Sequence, residues 1–130
     1  MTTEVFVLAL AGLLAAVQLA LMAAGANLQL GPRKTVGPRD EPLALAGIPG
    51  RLYRALNNLF EALILFTLAV VVVELSGANS GFTAAAAWTF LAARIAYVPA
   101  YAFGLVPWRS VIFGVGAAAT FAMIVAALLS

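Results

Sequence analysis

Between Val5 and Ala26 the chain carries no charge and one strongly polar side chain, Gln18. At a helical rise of about 1.5 Å per residue this run extends about 33 Å, enough to cross the hydrocarbon layer of a bilayer. Three more predominantly apolar runs begin near Leu52, Phe82 and Trp108 and end near Leu75, Phe103 and Leu129. With 65% hydrophobic residues, 9% charged residues and a mean hydropathy of +1.08, there is too little polar surface to cover a water-soluble globule. The sequence predicts an all-α integral membrane protein. Residues 1–130 form one membrane domain, with helices over 5–26, 52–75, 82–103 and 108–129.

A cleaved secretory leader is the competing reading of the first run. Its flanking charge is Glu4 instead of Lys or Arg, and the apolar stretch exceeds a signal core, so a retained spanning helix is expected. Residues 27–50 contain Pro32, Pro38, Pro42 and Pro49 with Arg33, Lys34, Arg39, Asp40 and Glu41, the composition of an aqueous loop. "SGANSG" at 76–81 and "GLVP" at 104–107 are short turns. Turns so short cannot return the chain across a membrane, so an antiparallel up-down four-helix bundle is expected. Basic residues cluster on or beside the first loop and, as Arg109, at the third, whereas the second loop and the termini have none. The positive-inside rule then places the first and third loops in the cytoplasm and both termini outside it. The alanine-rich composition is that of a high-GC bacterium, which makes a bacterial inner membrane the expected location.

Without cysteine or histidine the chain cannot use disulfides, its own thiolates, imidazole bases or zinc sites of the ordinary type, and no metal is expected. Any reactive thiol comes from a substrate. A net charge of +2 with no basic run interleaved with aromatics argues against nucleic acid as a partner and leaves membrane lipids.

"RLYRALNNLFEALILF" places Arg51, Arg54, Asn58 and Glu61 on one helical face, with Asn57 beside it. In the third helix Arg94, Tyr97 and Tyr101 also share a face. The two stripes are positioned to meet. An arginine at the depth of Arg94 costs about 2.5–3.5 kcal/mol on insertion scales, and Glu61 is the acid expected to pair with it. The pair either fixes helix register or belongs to a site. One carboxylate cannot neutralise Arg51, Arg54, Arg94 and Arg109, and the excess reads as an anion receptor or as a topology and headgroup signal. Pro99 is expected to kink the third helix between the tyrosines. Pro107 sets Arg109 and Ser110 in the first turn of the fourth helix, where free N–H groups and the helix dipole would stabilise an anion such as a thiolate. Gly114 and Ala118 permit close helix approach, within the chain or between copies.

"RLYRALNNLFE", then "ARIAYVPAY" and "PWRS", resembles the MAPEG family, the membrane-associated proteins of eicosanoid and glutathione metabolism. The resemblance extends from "GPRKTVGPRDEP" in the first loop to the fourth helix. It implies a homotrimer of four-helix protomers that binds glutathione between subunits near the cytoplasmic side. Carried over residue by residue, Arg54, Asn58, Glu61, Arg94, Tyr97 and Tyr101 would bind the tripeptide, and Arg109 would stabilise its thiolate. The implied function is a glutathione S-transferase or peroxidase acting on a hydrophobic small molecule, with glutathione as cosubstrate. The chain departs from the eicosanoid-type pattern at "AAGANLQL", where arginines would end the first helix, and at Ala62, where the leukotriene-type enzyme has tyrosine. The family also contains members that bind lipid without catalysis, so a non-catalytic lipid-binding or scaffold role is the alternative. A small multidrug-type transporter is a third reading, opposed by the arginines around Glu61.

Overall fold

The computed structural model describes residues 1–31 and 46–130. The loop residues Pro32, Arg33, Lys34, Pro38, Arg39, Asp40, Glu41 and Pro42 lie outside the described residues. Four helices follow in order: α1 Thr3–Leu30, α2 Gly47–Ser76, α3 Gly81–Ala102 and α4 Trp108–Leu129. Each is long and apolar enough to cross a membrane.

Local chemistry sets the ends. The Thr2 side chain accepts from the Val5 N–H, so α1 starts before the charge-free run. It continues to Leu30 and stops at Gly31, whose φ of 87° lies in glycine's territory. Helix α2 begins at Gly47, so Pro49, read from sequence as loop punctuation, stands in the first turn, where a missing N–H removes no helical bond. It ends at Gly77, φ 67°, with the Ala78 N–H returning to the Val73 carbonyl at 3.0 Å. Ser80 and Thr83 form a reciprocal capping box at the head of α3.

Helices α2 and α3 each touch all the others, whereas α1 and α4 touch both of them but not each other. The main core joins Val7 and Ala11 of α1, Phe66, Ala69, Val70 and Val73 of α2, Ala87 and Phe90 of α3, and Ala119 and Met123 of α4. Phe66 and Phe90 stack with centroids 4.0 Å apart, and alanines at the facing positions let the backbones approach. Close packing carries the energy here, because lipid tails are as apolar as the side chains they would replace. A smaller cluster, Met22, Ala26 and Leu56, seats the far end of α1 on α2. Between the two clusters Gln18 is 2% exposed and neither amide atom meets a protein partner. Gly116 supplies the close approach in α4, where an added Cβ would lie 3.5 Å from that of Ala93. Gly114 faces outward with nothing within 4 Å, so its spacing to Ala118 does not serve packing within the protomer.

Both ends of the bundle are tied by polar contacts. At one end Glu4, 2% exposed, accepts from the Thr83 hydroxyl and the Asn79 amide, each at 2.8 Å. The same Asn79 amide donates to Glu74 at 2.9 Å, and Thr2 donates its hydroxyl proton to Glu74 as well. One knot therefore joins the start of α1, the end of α2 and the start of α3. At the other end the Gln29 amide pairs with both backbone groups of Ala46, each at 2.9 Å, and Gly25 admits Pro49 so closely that a Cβ there would lie 3.3 Å from the Pro49 Cβ.

Removing Glu4 takes the buried carboxylate out of the knot and leaves Thr83 the Ser80 carbonyl and Asn79 the Glu74 carboxylate as acceptors. We expect Glu4→Ala to cost about 3 kcal/mol and Thr83→Val about 1 kcal/mol, with the double substitution costing less than the sum. Detergent-titrated unfolding by SDS checks both values and their coupling.

Candidate functional site

The start of α2, the end of α3 and the start of α4 converge where the polar residues concentrate. Arg94 is the residue the membrane penalises most, and it is 2% exposed. Its NH1 donates to Asn58 Oδ1 at 2.8 Å, and its guanidinium carbon lies 4.2 Å from the centroid of the Tyr97 ring. A charge-assisted hydrogen bond and a cation–π contact offset part of the desolvation. Nε and NH2 have no protein partner. Buried donors without a partner are uncommon in folded proteins.

The expected Glu61–Arg94 ion pair does not form. Asn58, nearly one turn earlier on α2, takes NH1, and Glu61 stays on the exposed face of that helix. The two residues still line one cavity of about 140 Å³ among Ala62, Leu65, Phe90 and Phe113. Arg51 is also accounted for. It donates from NH1 to the Ala102 carbonyl at 3.4 Å and lies against Gly104, φ 64°, where a Cβ would come within 3.3 Å of the guanidinium. A cation at a helix C-terminus answers the dipole and a spare carbonyl, so Arg51 caps α3 and leaves the group of free cations.

Arg54 and Arg109 gather on Tyr101. Arg54 Nε donates to its phenol oxygen at 3.3 Å, and the Arg109 guanidinium carbon stands 5.2 Å from its ring centroid. Tyr97 lies beside it, with ring centroids 5.5 Å apart. Asn58, Tyr97, Tyr101 and Arg109, with Ser110 and Phe113, line an open hollow of about 220 Å³. Of the residues singled out in sequence, Asn58, Tyr97, Tyr101, Arg109 and Ser110 share the hollow, Arg54 touches it through Tyr101, and Glu61 and Arg94 line the neighbouring cavity. Phe113 belongs to both spaces and was not singled out, although its place four residues after Arg109 put it on the same face.

Helix α3 runs unbroken through Pro99 to Ala102, and the Pro99 carbonyl accepts from the Phe103 N–H at 3.0 Å. One detail of the proline positions differs from expectation. At the head of α4 the N–H groups of Arg109 and Ser110 are not free, because they donate to the carbonyls of Leu105 and Pro107, each at 3.0 Å. The turn before α4 supplies acceptors that the sequence pattern did not show. An anion there would rely on the Arg109 side chain and the dipole instead of direct backbone bonds.

Replacing Asn58 by Leu strips Arg94 of its one hydrogen bond, whereas Asn57 is exposed. Unfolding in detergent should show a loss of about 2 kcal/mol for Asn58→Leu and no loss for Asn57→Leu.

In comparisons with known proteins, the model of the MAPEG family matches residues 5–129. No curated protein and no solved structure gives a significant match. With four helices of spanning length and a family match over nearly the whole chain, this is an integral, multi-pass membrane protein, and it belongs to the MAPEG family.

Proposed function

We propose that the protein is a membrane-bound glutathione S-transferase or peroxidase, joining a tripeptide thiol to hydrophobic electrophiles or reducing them with it. The observation that carries this reading is a buried arginine with two unpartnered nitrogens next to a hollow lined by a second arginine and two tyrosines. Such a set is complementary to a ligand with carboxylates, one ammonium and a thiol. Arg54 and Arg94 would receive carboxylate or carbonyl oxygens, and Glu61 the ammonium, by charge-assisted hydrogen bonds. Asn58, Tyr97 and Tyr101 would hold the peptide backbone. Arg109 would lie against the sulfur. A free thiol ionises near pH 8.5, and a cation at a helix head raises the thiolate fraction at neutral pH, which is the nucleophilic form.

The arrangement that goes with this reading is an antiparallel up-down bundle assembled as a homotrimer in a bacterial inner membrane. Both termini would lie outside the cytoplasm and the arginine end inside, where a cytosolic thiol reaches it. The exposure of Glu61 within one protomer fits a site completed by a neighbouring subunit.

Ultraviolet difference absorption at the thiolate band, with glutathione titrated into the detergent-purified protein, tests the reading directly. We expect a saturable signal, and for Arg109→Ala its loss together with a fall of about 100-fold in turnover. Saturable lipid binding with neither signal nor turnover would instead establish the non-catalytic role. Mass photometry of the same sample should report three protomers per particle.

A further inference from the structure

Arg51 stands one turn inside the head of α2, where the dipole of its own helix gives a cation no support. Its guanidinium lies instead against the end of α3. There the Pro99, Ala100 and Tyr101 carbonyls accept from the N–H groups of Phe103, Leu105 and Gly104 at 3.0, 2.8 and 3.1 Å, and the Ala102 carbonyl takes NH1 of Arg51 at 3.4 Å. A Cβ built on Gly104 would come 3.3 Å from both the guanidinium carbon and NH1 and 3.4 Å from NH2, so a glycine at φ 64° is what lets the turn rest on Arg51. The turn in its own right holds the head of α4. The Leu105 carbonyl accepts from the Arg109 N–H and the Pro107 carbonyl from that of Ser110, each at 3.0 Å.

Packing does little for that head. The first buried residue of α4 is Gly116, about two turns past Arg109, and Trp108, Val111 and Phe113 before it are exposed. The place of the Arg109 guanidinium beside Tyr101, 5.2 Å from the ring centroid, therefore depends on the turn, and the turn rests on α2 through Arg51. A shift of about 1 Å at a reacting group can cost about 100-fold in rate.

We propose that Arg51 is a positioning residue for Arg109: through the Ala102 carbonyl and the bare backbone of Gly104 it pins the turn over residues 103–107 to α2, and so holds the Arg109 side chain where it stabilises a thiolate. The proposal rests on the thiol-transfer reading and adds to it a residue that acts through the backbone of another helix.

Arg51→Met keeps an apolar stem and removes the guanidinium. Hydrogen exchange read by mass spectrometry, on the full-length protein in detergent without any thiol, should show the amides of residues 103–110 exchanging about tenfold faster than in the wild type. With glutathione added, the thiolate absorption at neutral pH and kcat should each fall about tenfold, with KM for glutathione unchanged. Gly104→Ala leaves every charge in place and drives a methyl group against the guanidinium, so it should move exchange and thiolate absorption in the same direction, and it carries the test if Arg51→Met does not fold. Normal thiolate absorption in Gly104→Ala beside a loss in Arg51→Met would mean that the Arg51 charge acts through space, and would overturn the proposal. Unchanged exchange in Arg51→Met would overturn it as well. Faster exchange with normal thiolate absorption would make Arg51 a clamp on the fold alone and refute its role toward Arg109 while the thiol reading stands. A wild type with no thiolate signal would remove the thiol reading itself and this role with it.

Discussion

Burying a guanidinium within the membrane layer is the condition to which the rest of the site end is fitted. Arg94 is 2% exposed, so its charge must be answered by groups that helices α2 and α3 bring to it: the Asn58 amide and the face of Tyr97. Those contacts fix the rotation of α2 against α3. Once that rotation is set, Tyr101 comes under Arg54 and Arg109, and Arg51 reaches the carbonyl end of α3. Among the described residues, Arg51, Arg54, Arg94 and Arg109 have distinct environments although the sequence presents them alike. The bare nitrogens of Arg94 are the unmet part of the arrangement, and a ligand that meets them gains what the protein alone leaves unspent.

The opposite end is built on the reverse principle. There Glu4 and Glu74 are satisfied by neutral donors, Thr83, Asn79 and Thr2, within one connected network. A closed polar network at a helix junction specifies geometry without inviting a ligand.

Hydropathy made four helices legible because spanning length is a one-dimensional property, readable residue by residue. Helix ends were less so. Pro49 looked like a loop residue, since its tolerance in a first turn depends on where the helix starts. The polar face was legible at the level of who shares a stripe, and Asn58, Tyr97, Tyr101 and Arg109 do line one hollow. Pairings across helices were not. Glu61 and Asn58 lie one turn apart on the same stripe, and which of them meets Arg94 depends on helix separation and rotation, on which periodicity is silent. The knot at Glu4 escaped notice for the same reason, because its members lie about seventy residues apart in the chain and no local pattern links them.

Pro99 sits in α3 between the two tyrosines, and a proline contributes no N–H to the ladder, so the Ile95 carbonyl loses its helical partner. Together with the unmatched nitrogens of Arg94, this leaves the half of α3 that carries the tyrosines with fewer bonds than the half that starts at the Ser80 capping box. Local opening follows the weakest bonding, so amide exchange along this helix should run as a gradient, fastest around Pro99 and slowest near Thr83. The same helix can then be an anchor at one end and a yielding wall at the other.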